Sequence, residues 1–136
     1  MKFLSFIIAV FLISGCTKSG SKSEYFGLWV SKKSNSETRE LRLGEDMNFE
    51  ARGVPAEIFC SNSEVAGDID GVGTWEYEAE NDRVFLKFSR MTNNSCATPY
   101  GVMIFPQPGK KLAAFYDVEK PSGAVIFNLA DAGKNN

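Results

Sequence analysis

The chemistry open to this chain is limited first by a residue type that it lacks, because none of its 136 residues is histidine. Without an imidazole the sequence cannot build a Ser-His-Asp or Cys-His nucleophile pair, a histidine general base or a histidine-ligated zinc site. The 15 Lys and Arg are scattered among 17 Asp and Glu, so the formal charge is −2 and no basic stripe is available for phosphate binding. We therefore expect no nucleic-acid partner, and we predict neither a metal nor a cofactor.

Acidic residues ahead of a glycine raise a calcium interpretation. The segment 68–71, Asp-Ile-Asp-Gly, has alternate carboxylates before a glycine, as in the middle of an EF-hand loop. Ala66 stands where that loop needs its first ligand, however, and Tyr77 stands where it needs a bidentate glutamate. We interpret the segment as a solvated acidic loop, in which Asp68 and Asp70 are candidate binding residues.

Paired carboxylates are the remaining route to catalysis. Two pairs of carboxylates are spaced two positions apart, Asp68 with Asp70 and Glu76 with Glu78. On a strand, side chains at this spacing point to the same side. Two neighbouring carboxyl groups can serve as acid and base in glycoside hydrolysis. Charges on the polar side of a strand more commonly serve solvation, so we predict no catalytic residue and keep a hydrolase as the less favoured alternative.

The amino terminus carries the most specific pattern in the chain. Lys2 precedes an apolar run over residues 3–13, which is shorter than the about 20 residues that cross a bilayer and is typical of a secretory signal. Leu12-Ile13 is then followed by two small residues and Cys16. This pattern resembles the lipobox of bacterial lipoproteins, which implies cleavage after residue 15 and acylation of the Cys16 thiol. The alternative is an ordinary cleaved signal with a cysteine nearby by chance.

The lipobox resemblance also implies a location. Acyl chains such as palmitate at Cys16 would anchor the protein stably to a membrane. Thr17 follows, rather than aspartate, and in enteric-type bacteria this implies the outer membrane, facing the periplasm. Residues 17–23 carry no large apolar side chain and are predicted to be flexible. We expect a signal peptide at 1–15, a lipid-anchored tether at 16–23 and one folded domain at 24–136.

Once Cys16 is assigned to lipid, Cys60 and Cys96 remain. An even remainder in an exported chain predicts one disulfide. A redox-active pair or a metal site is the alternative, although the two cysteines have no C-x-x-C spacing. Both lie beside polar stretches, 62–72 and 92–99, which we expect to be long loops. We predict that the bridge staples these loops at one end of the fold, where functional residues commonly lie.

The body of the chain alternates apolar and polar residues with period two, which is typical of strands with one buried side. Turn signals at 44–46, 80–82, 106–109 and 121–123 separate these runs at fairly even spacing. Two later runs, 102–105 and 124–127, are apolar on both sides, and Phe115 is an outward addition to a third. About eight short strands of this kind predict an all-β antiparallel meander that closes into a small barrel.

Two G-x-W elements start strand runs, at Gly27-Leu28-Trp29 and at Gly73-Thr74-Trp75. The first, at the start of the first predicted strand, resembles the G-x-W element of lipocalin-like domains. The resemblance implies a barrel whose tryptophan closes the bottom while the glycine lets the chain bend. We take Gly27, Trp29, Gly73 and Trp75 as barrel-closing candidates.

Two functions remain open for a non-enzymatic module of this kind. The barrel rim could bind an envelope protein partner, as inhibitor and immunity lipoproteins of this size do. Alternatively, the interior could hold a small apolar ligand, as lipocalin-like domains do. Bulky inward residues such as Trp75, Tyr77 and Phe88 would leave little room inside a small barrel, which favours the protein partner.

Overall fold

The alternating runs form a closed antiparallel barrel of eight strands, which confirms the predicted all-β, lipocalin-like architecture. The computed structural model describes residues 20–116 and 123–130. A 3-10 helix, Lys22–Tyr25, precedes the barrel, and a four-residue helix α1, Ala56–Phe59, follows the third strand. The strands are β1 (Gly27–Lys32), β2 (Thr38–Leu43), β3 (Asn48–Pro55), β4 (Asp68–Glu78), β5 (Arg83–Met91), β6 (Tyr100–Gln107), β7 (Lys111–Phe115) and β8 (Ala124–Leu129).

Each strand pairs with the next in the chain, and β1 also pairs with β8 to close the barrel. The closing seam is short, because its register covers only Trp29↔Leu129 and Val30↔Asn128. The backbone N–H of Ala130 extends the seam by donating to the carbonyl oxygen of Leu28 at 2.8 Å. Closure removes the exposed edges that a small open sheet would present.

Antiparallel pairing in chain order places successive connections at alternate ends of the barrel. The connections 33–37, 56–67 and 92–99 lie at one end, which we call the stapled end because the disulfide lies there. The turns 44–47, 79–82 and 108–110 lie at the opposite end, which we call the floor. The 3-10 helix leads into the first residue of β1 and therefore also lies at the floor.

The barrel interior is filled by the inward-facing half of each strand. Along β5, for example, Val84, Leu86 and Phe88 are fully buried while the residues between them are not. The ring of Phe88 makes edge contacts with Phe49 and Phe59 at centroid distances of 4.8 and 6.1 Å. These aromatic contacts form one core that runs from the middle of the barrel to the stapled end.

Three boundaries differ from the sequence prediction. The loop expected over 62–72 is wrong in its second half, because β4 begins at Asp68 and alternates exposed and buried residues from there. The tether expected over 16–23 is also too long, because the 3-10 helix begins at Lys22. The turn expected at 106–109 starts later, since Pro106 and Gln107 still belong to β6.

Some predictions fall outside the described residues. The signal peptide at 1–15, the acylation of Cys16 and the first part of the tether all lie there, as does most of the turn signal at 121–123. No helix within 20–116 or 123–130 is long and apolar enough to cross a membrane.

Candidate functional site

The two cysteines form the predicted disulfide. Cys60 directly follows α1 and Cys96 lies in the connection between β5 and β6, with their Cα atoms 5.2 Å apart. The bond joins the connections 56–67 and 92–99 at the stapled end, as expected for two polar segments beside the cysteines. The Asn62 side-chain amide donates to the Ser95 carbonyl oxygen at 3.4 Å, which adds a second tie between these connections.

Helix α1 plugs the stapled end. Phe59 is fully buried, with Ala56 and Ile58 also in the core, while Glu57 faces solvent. The backbone N–H of Ala56 donates to Gly67 at 2.9 Å and closes the loop that carries the plug. The sequence prediction missed α1, because four residues are too few to show a helical period. The surface at this end therefore consists of loop residues above a closed core.

Asp68 and Asp70, the candidate loop residues, are part of strand β4 and hold other segments in place. The carboxylate of Asp68 forms an ion pair with Lys33 from the β1–β2 connection. Asp70 Oδ1 accepts a hydrogen bond from the Gly53 backbone N–H at 2.7 Å. The Asp70 backbone N–H in turn donates to Thr92 Oγ1 at 3.1 Å. Both aspartates therefore lie in a strand and bond Lys33, Gly53 and Thr92, so the expectation that they belong to a loop is wrong.

Two basic residues at the stapled end escaped the sequence prediction. The side chain of Lys33 is only 14% exposed and also bonds Glu37 at 3.1 Å. These hydrogen bonds to Asp68 and Glu37 raise the pKa of Lys33, and the bond to Lys33 lowers the pKa of Glu37. Arg39 shares the inner side of β2 with Leu41, and its Nε is buried without a hydrogen-bond partner in the described part of the chain. The only sequence signal for either residue was its place near a strand end.

Of the four barrel-closing candidates, Gly27 and Trp29 lie at the floor end of β1, Trp75 lies near the floor end of β4, and Gly73 lies in the middle of that strand. Trp29 and Trp75 are each 2% exposed. The Trp29 indole N–H donates to the Tyr25 carbonyl oxygen at 2.9 Å, and the Trp75 indole N–H donates to the Gly44 carbonyl oxygen at 3.0 Å. Both indoles thus bind the backbone of floor segments, and Phe26 packs edge-on against Trp75 at 5.8 Å.

The glycines beside the tryptophans have steric roles. Gly27 has a φ of 131°, which favours glycine, and its hydrogen lies towards Leu129 of β8 at the seam. A Cβ at Gly73 would overlap the Lys87 carbonyl oxygen and approach the Phe49 ring at 2.9 Å. Gly27 therefore allows the chain to enter the barrel, and Gly73 allows β4 to approach β5 closely.

Two tyrosines complete the floor. Their rings, from Tyr25 and Tyr77, lie 4.8 Å apart, and the Tyr77 hydroxyl forms a 2.8 Å hydrogen bond with Asp82. Burial is the main cause that raises the pKa of Tyr25, and burial followed by the Asp82 bond raises the pKa of Tyr77. The floor is thus closed by a layer of packed aromatic rings.

The carboxylate pairs considered for catalysis are separated in their contacts. Glu78 forms an ion pair with Arg83, whereas Glu76 is exposed beside Phe85 of β5. Within the described residues, no group of three His, Cys, Asp or Glu side chains is arranged to hold a metal ion.

Comparisons with known proteins give no relative. No family model matches the chain, and neither a curated protein nor a solved structure is significantly similar to it. The argument for function therefore depends on the sequence pattern and on the geometry of the barrel.

Proposed function

We propose that this protein is a lipoprotein of the bacterial cell envelope whose barrel is a non-enzymatic module that binds a partner protein, in the manner of inhibitor or immunity lipoproteins. The observation that carries the proposal is that the chain enters the barrel at one end and the disulfide-linked loops lie at the other. Its amino-terminal end and its stapled loops lie at opposite ends, so an anchor at one end leaves the other end free for a partner.

The position of Gly20 supports this arrangement. A Cβ on Gly20 would lie 3.0 Å from the Tyr25 hydroxyl and 3.5 Å from the Tyr77 hydroxyl, so the chain enters at the floor. Gly20 is four positions after Cys16, and an extended chain over four positions reaches about 14 Å. Acylation of Cys16 would therefore hold the floor close to the bilayer, while the stapled connections lie at the opposite end of the barrel.

The filled interior supports a partner at the surface over a ligand inside. Trp29 and Trp75 close the floor, Phe59 closes the stapled end, and Phe88 occupies the middle. A barrel of eight strands is just wide enough for side chains to fill, and large aromatic residues fill this one. The disulfide fixes the two connections that would meet the partner, which lowers the entropy lost on binding.

Anchoring is tested by expressing the full chain in a Gram-negative host with an alkyne-tagged fatty acid. We expect the label on the wild-type protein and its recovery in the envelope membrane fraction. Cys16→Ser should lose the label and the cleavage, while the Cys60→Ser/Cys96→Ser double variant keeps both. Equal labelling of wild type and Cys16→Ser would contradict the anchor.

Partner binding is tested by affinity capture from detergent-solubilised envelope, followed by mass spectrometry. Glu57 and Glu64 are exposed at the stapled end, and Glu45 and Glu80 are exposed in floor turns, which gives two matched pairs for charge reversal. We expect one specific protein with wild type and with Glu45→Lys/Glu80→Lys, and its loss with Glu57→Lys/Glu64→Lys. Capture of no protein, together with a lipid retained in native mass spectrometry, would instead support the lipocalin-like alternative.

A further inference from the structure

The outer side of the barrel is divided into two unlike halves. The outward positions of β2 to β5 carry both charge signs, with neighbours such as Glu40 opposite Arg52 and Arg42 opposite Glu50. The outward positions of β6, β7, β8 and β1 are mostly apolar. We call this second surface the apolar wall, and it consists of Val30, Met103, Phe105, Ala113, Phe115 and Ile126.

The apolar wall is continuous across β6, β7 and β8, and Val30 lies beyond the seam, where its register partner is Asn128. Phe105, Ala113 and Ile126 are register partners in a row across β6, β7 and β8. The Phe105 and Phe115 rings lie 5.7 Å apart, and Met103 and Ile126 are each 37% exposed. Ala113 is almost completely buried by these outer neighbours, although it lies outside the core cluster. A continuous exposed apolar surface of this kind marks a site of protein or membrane contact.

The charged side chains on the four strands of the apolar wall are lysines, and Glu40 of the neighbouring β2 is the register partner of Val30 at one edge. Among the described outward positions of β6, β7, β8 and β1, the charged residues are Lys32 and Lys111, and Lys110 adjoins Lys111 in the turn. At β5 the apolar wall meets Phe85, the register partner of Met103, and Arg83, whose Nη1 contacts the Met103 sulfur at 2.9 Å and whose Nε pairs with Glu78. Apolar groups edged by lysine suit a surface that combines hydrocarbon with anionic headgroups.

The apolar wall also lies near the end of the chain that would be anchored. Phe105 is two positions from the floor end of β6, and its partner Ala113 is two positions from the floor end of β7. With Gly20 within about 14 Å of an acylated Cys16, this half of the barrel would stay within reach of the bilayer. We propose that the apolar wall rests on an anionic phospholipid surface and orients the barrel there, an inference that rests on the proposed anchoring at Cys16.

The test imposes the anchor chemically, so that it does not depend on acylation in cells. The chain 16–136, which contains every described element and is first shown to fold by its melting transition, is coupled through its Cys16 thiol to a maleimide lipid. The vesicles contain phosphatidylcholine with about one quarter phosphatidylglycerol. Hydroxyl-radical oxidation of Met103 to its sulfoxide, followed by mass spectrometry, reports whether the apolar wall is covered.

We expect coupling to the vesicles to slow Met103 oxidation by at least about threefold relative to the uncoupled chain. Arg52→Met supplies the matched control, because residue 52 is exposed on β3, half-way around the barrel, and its oxidation should be unchanged. Lys32→Glu/Lys111→Glu should restore most of the Met103 oxidation on the same vesicles. Ile126→Glu should do the same by breaking the apolar contact.

Three results would overturn the inference. The first is equal Met103 oxidation in the coupled and free chains, and the second is equal protection on vesicles of phosphatidylcholine alone. The third is protection that appears in solution as protein concentration rises, since this would make a second copy the occupant. None of them bears on whether cells acylate Cys16, because fatty-acid labelling of the full chain measures that separately.

Discussion

The Asp70 carboxylate accepts a hydrogen bond from the backbone N–H of Gly53, with Oδ1 2.7 Å from the nitrogen. Gly53 has a φ of 62° and lies where the register of β3 against β4 shifts between Ala51 and Val54. A bulge leaves an extra residue out of the ladder, and here the side chain of Asp70 bonds the N–H that the ladder leaves out. One aspartate of the suspected loop thus stabilises an irregular strand.

Removing this carboxylate should loosen the bulge. Asp70→Ala should lower the free energy of unfolding by about 1.5 kcal/mol, the low end of the range for a hydrogen bond to a charged group. Urea unfolding followed by tryptophan fluorescence measures the change. Glu76→Ala, on the same outer side of β4, should change stability by less than about 0.5 kcal/mol. Equal effects of the two variants would show that the Asp70 bond adds no stability.

The disulfide should contribute more to stability than any single hydrogen bond. Its cysteines are 36 residues apart, and the chain-entropy model gives about 3 to 4 kcal/mol for a loop of this length. Cys60→Ser/Cys96→Ser should lower the urea midpoint accordingly, and reduction of the wild type by dithiothreitol should match it. A reduced protein that melts at the same temperature as the oxidised one would refute stapling.

The strands of the barrel could be predicted where apolar residues occupy every inward position. Over Val84, Leu86 and Phe88 the period-two pattern is complete, and these residues are all fully buried in β5. The start of β4 was missed for a physical reason. Gly71 occupies an inward position, and a Cβ there would lie 2.6 Å from the Phe88 ring. The core has no room for a side chain at this inward position, so glycine stands where the period-two pattern would place an apolar residue. The pattern is therefore lost from the sequence although the strand is present.

The candidate site was less predictable than the strands. Cys60 and Cys96 could be paired from their number alone once Cys16 was set aside, and the pairing locates the stapled end. The contacts of Lys33 could not be predicted, because its ion-pair partner Asp68 is 35 positions away and they meet only when β1 and β4 share a barrel. Outward Phe115 did signal the apolar wall, since it breaks an otherwise regular alternation.

The plug of the stapled end can be tested by truncating its central ring. Phe59→Ala should cost about 3 to 5 kcal/mol of unfolding free energy, because Phe59 is fully buried against Phe88. Ile126→Ala on the outer side of β8 should cost less than about 1 kcal/mol, since that side chain is partly exposed. The two are compared by guanidinium unfolding. A loss for Phe59→Ala as small as that for Ile126→Ala would show that α1 does not seal the core.

The close approach of β4 and β5 predicts a severe effect at one glycine. Gly73→Ala should reduce stability by about 1 to 3 kcal/mol or prevent folding, because its methyl group would overlap the Lys87 carbonyl oxygen. Thr74→Ala, the next residue and exposed, provides the control and should keep a native near-ultraviolet circular dichroism spectrum. A Gly73→Ala protein with the wild-type melting temperature would contradict the described strand spacing.

The ion pairs of Lys33 with Glu37 and Asp68 should stabilise the fold only within a limited pH range. The bond to Lys33 lowers the pKa of Glu37 in the folded state. Ionised Glu37 therefore stabilises the fold at pH above its unfolded pKa of about 4.3, and this stabilisation is lost as pH falls through the lowered folded pKa. Hydrogen bonds to Asp68 and Glu37 raise the pKa of Lys33 in the folded state. Charged Lys33 therefore stabilises the fold at pH below its unfolded pKa of about 10.4, and this stabilisation is lost as pH rises through the raised folded pKa.

Lys33→Met removes both contributions at once. The difference in melting temperature between wild type and Lys33→Met should therefore be largest at about pH 5 to 10 and should shrink towards both extremes. Lys32→Met is the matched control, because Lys32 is exposed on the outer side of β1 and its replacement should change the melting temperature little. Added salt should reduce the Lys33 effect only in part, since that side chain is 14% exposed and its ion pairs are incompletely screened. A Lys33→Met difference that is constant from acid to alkaline pH would show that side-chain packing, and not the charges of Glu37 and Asp68, is what Lys33 contributes.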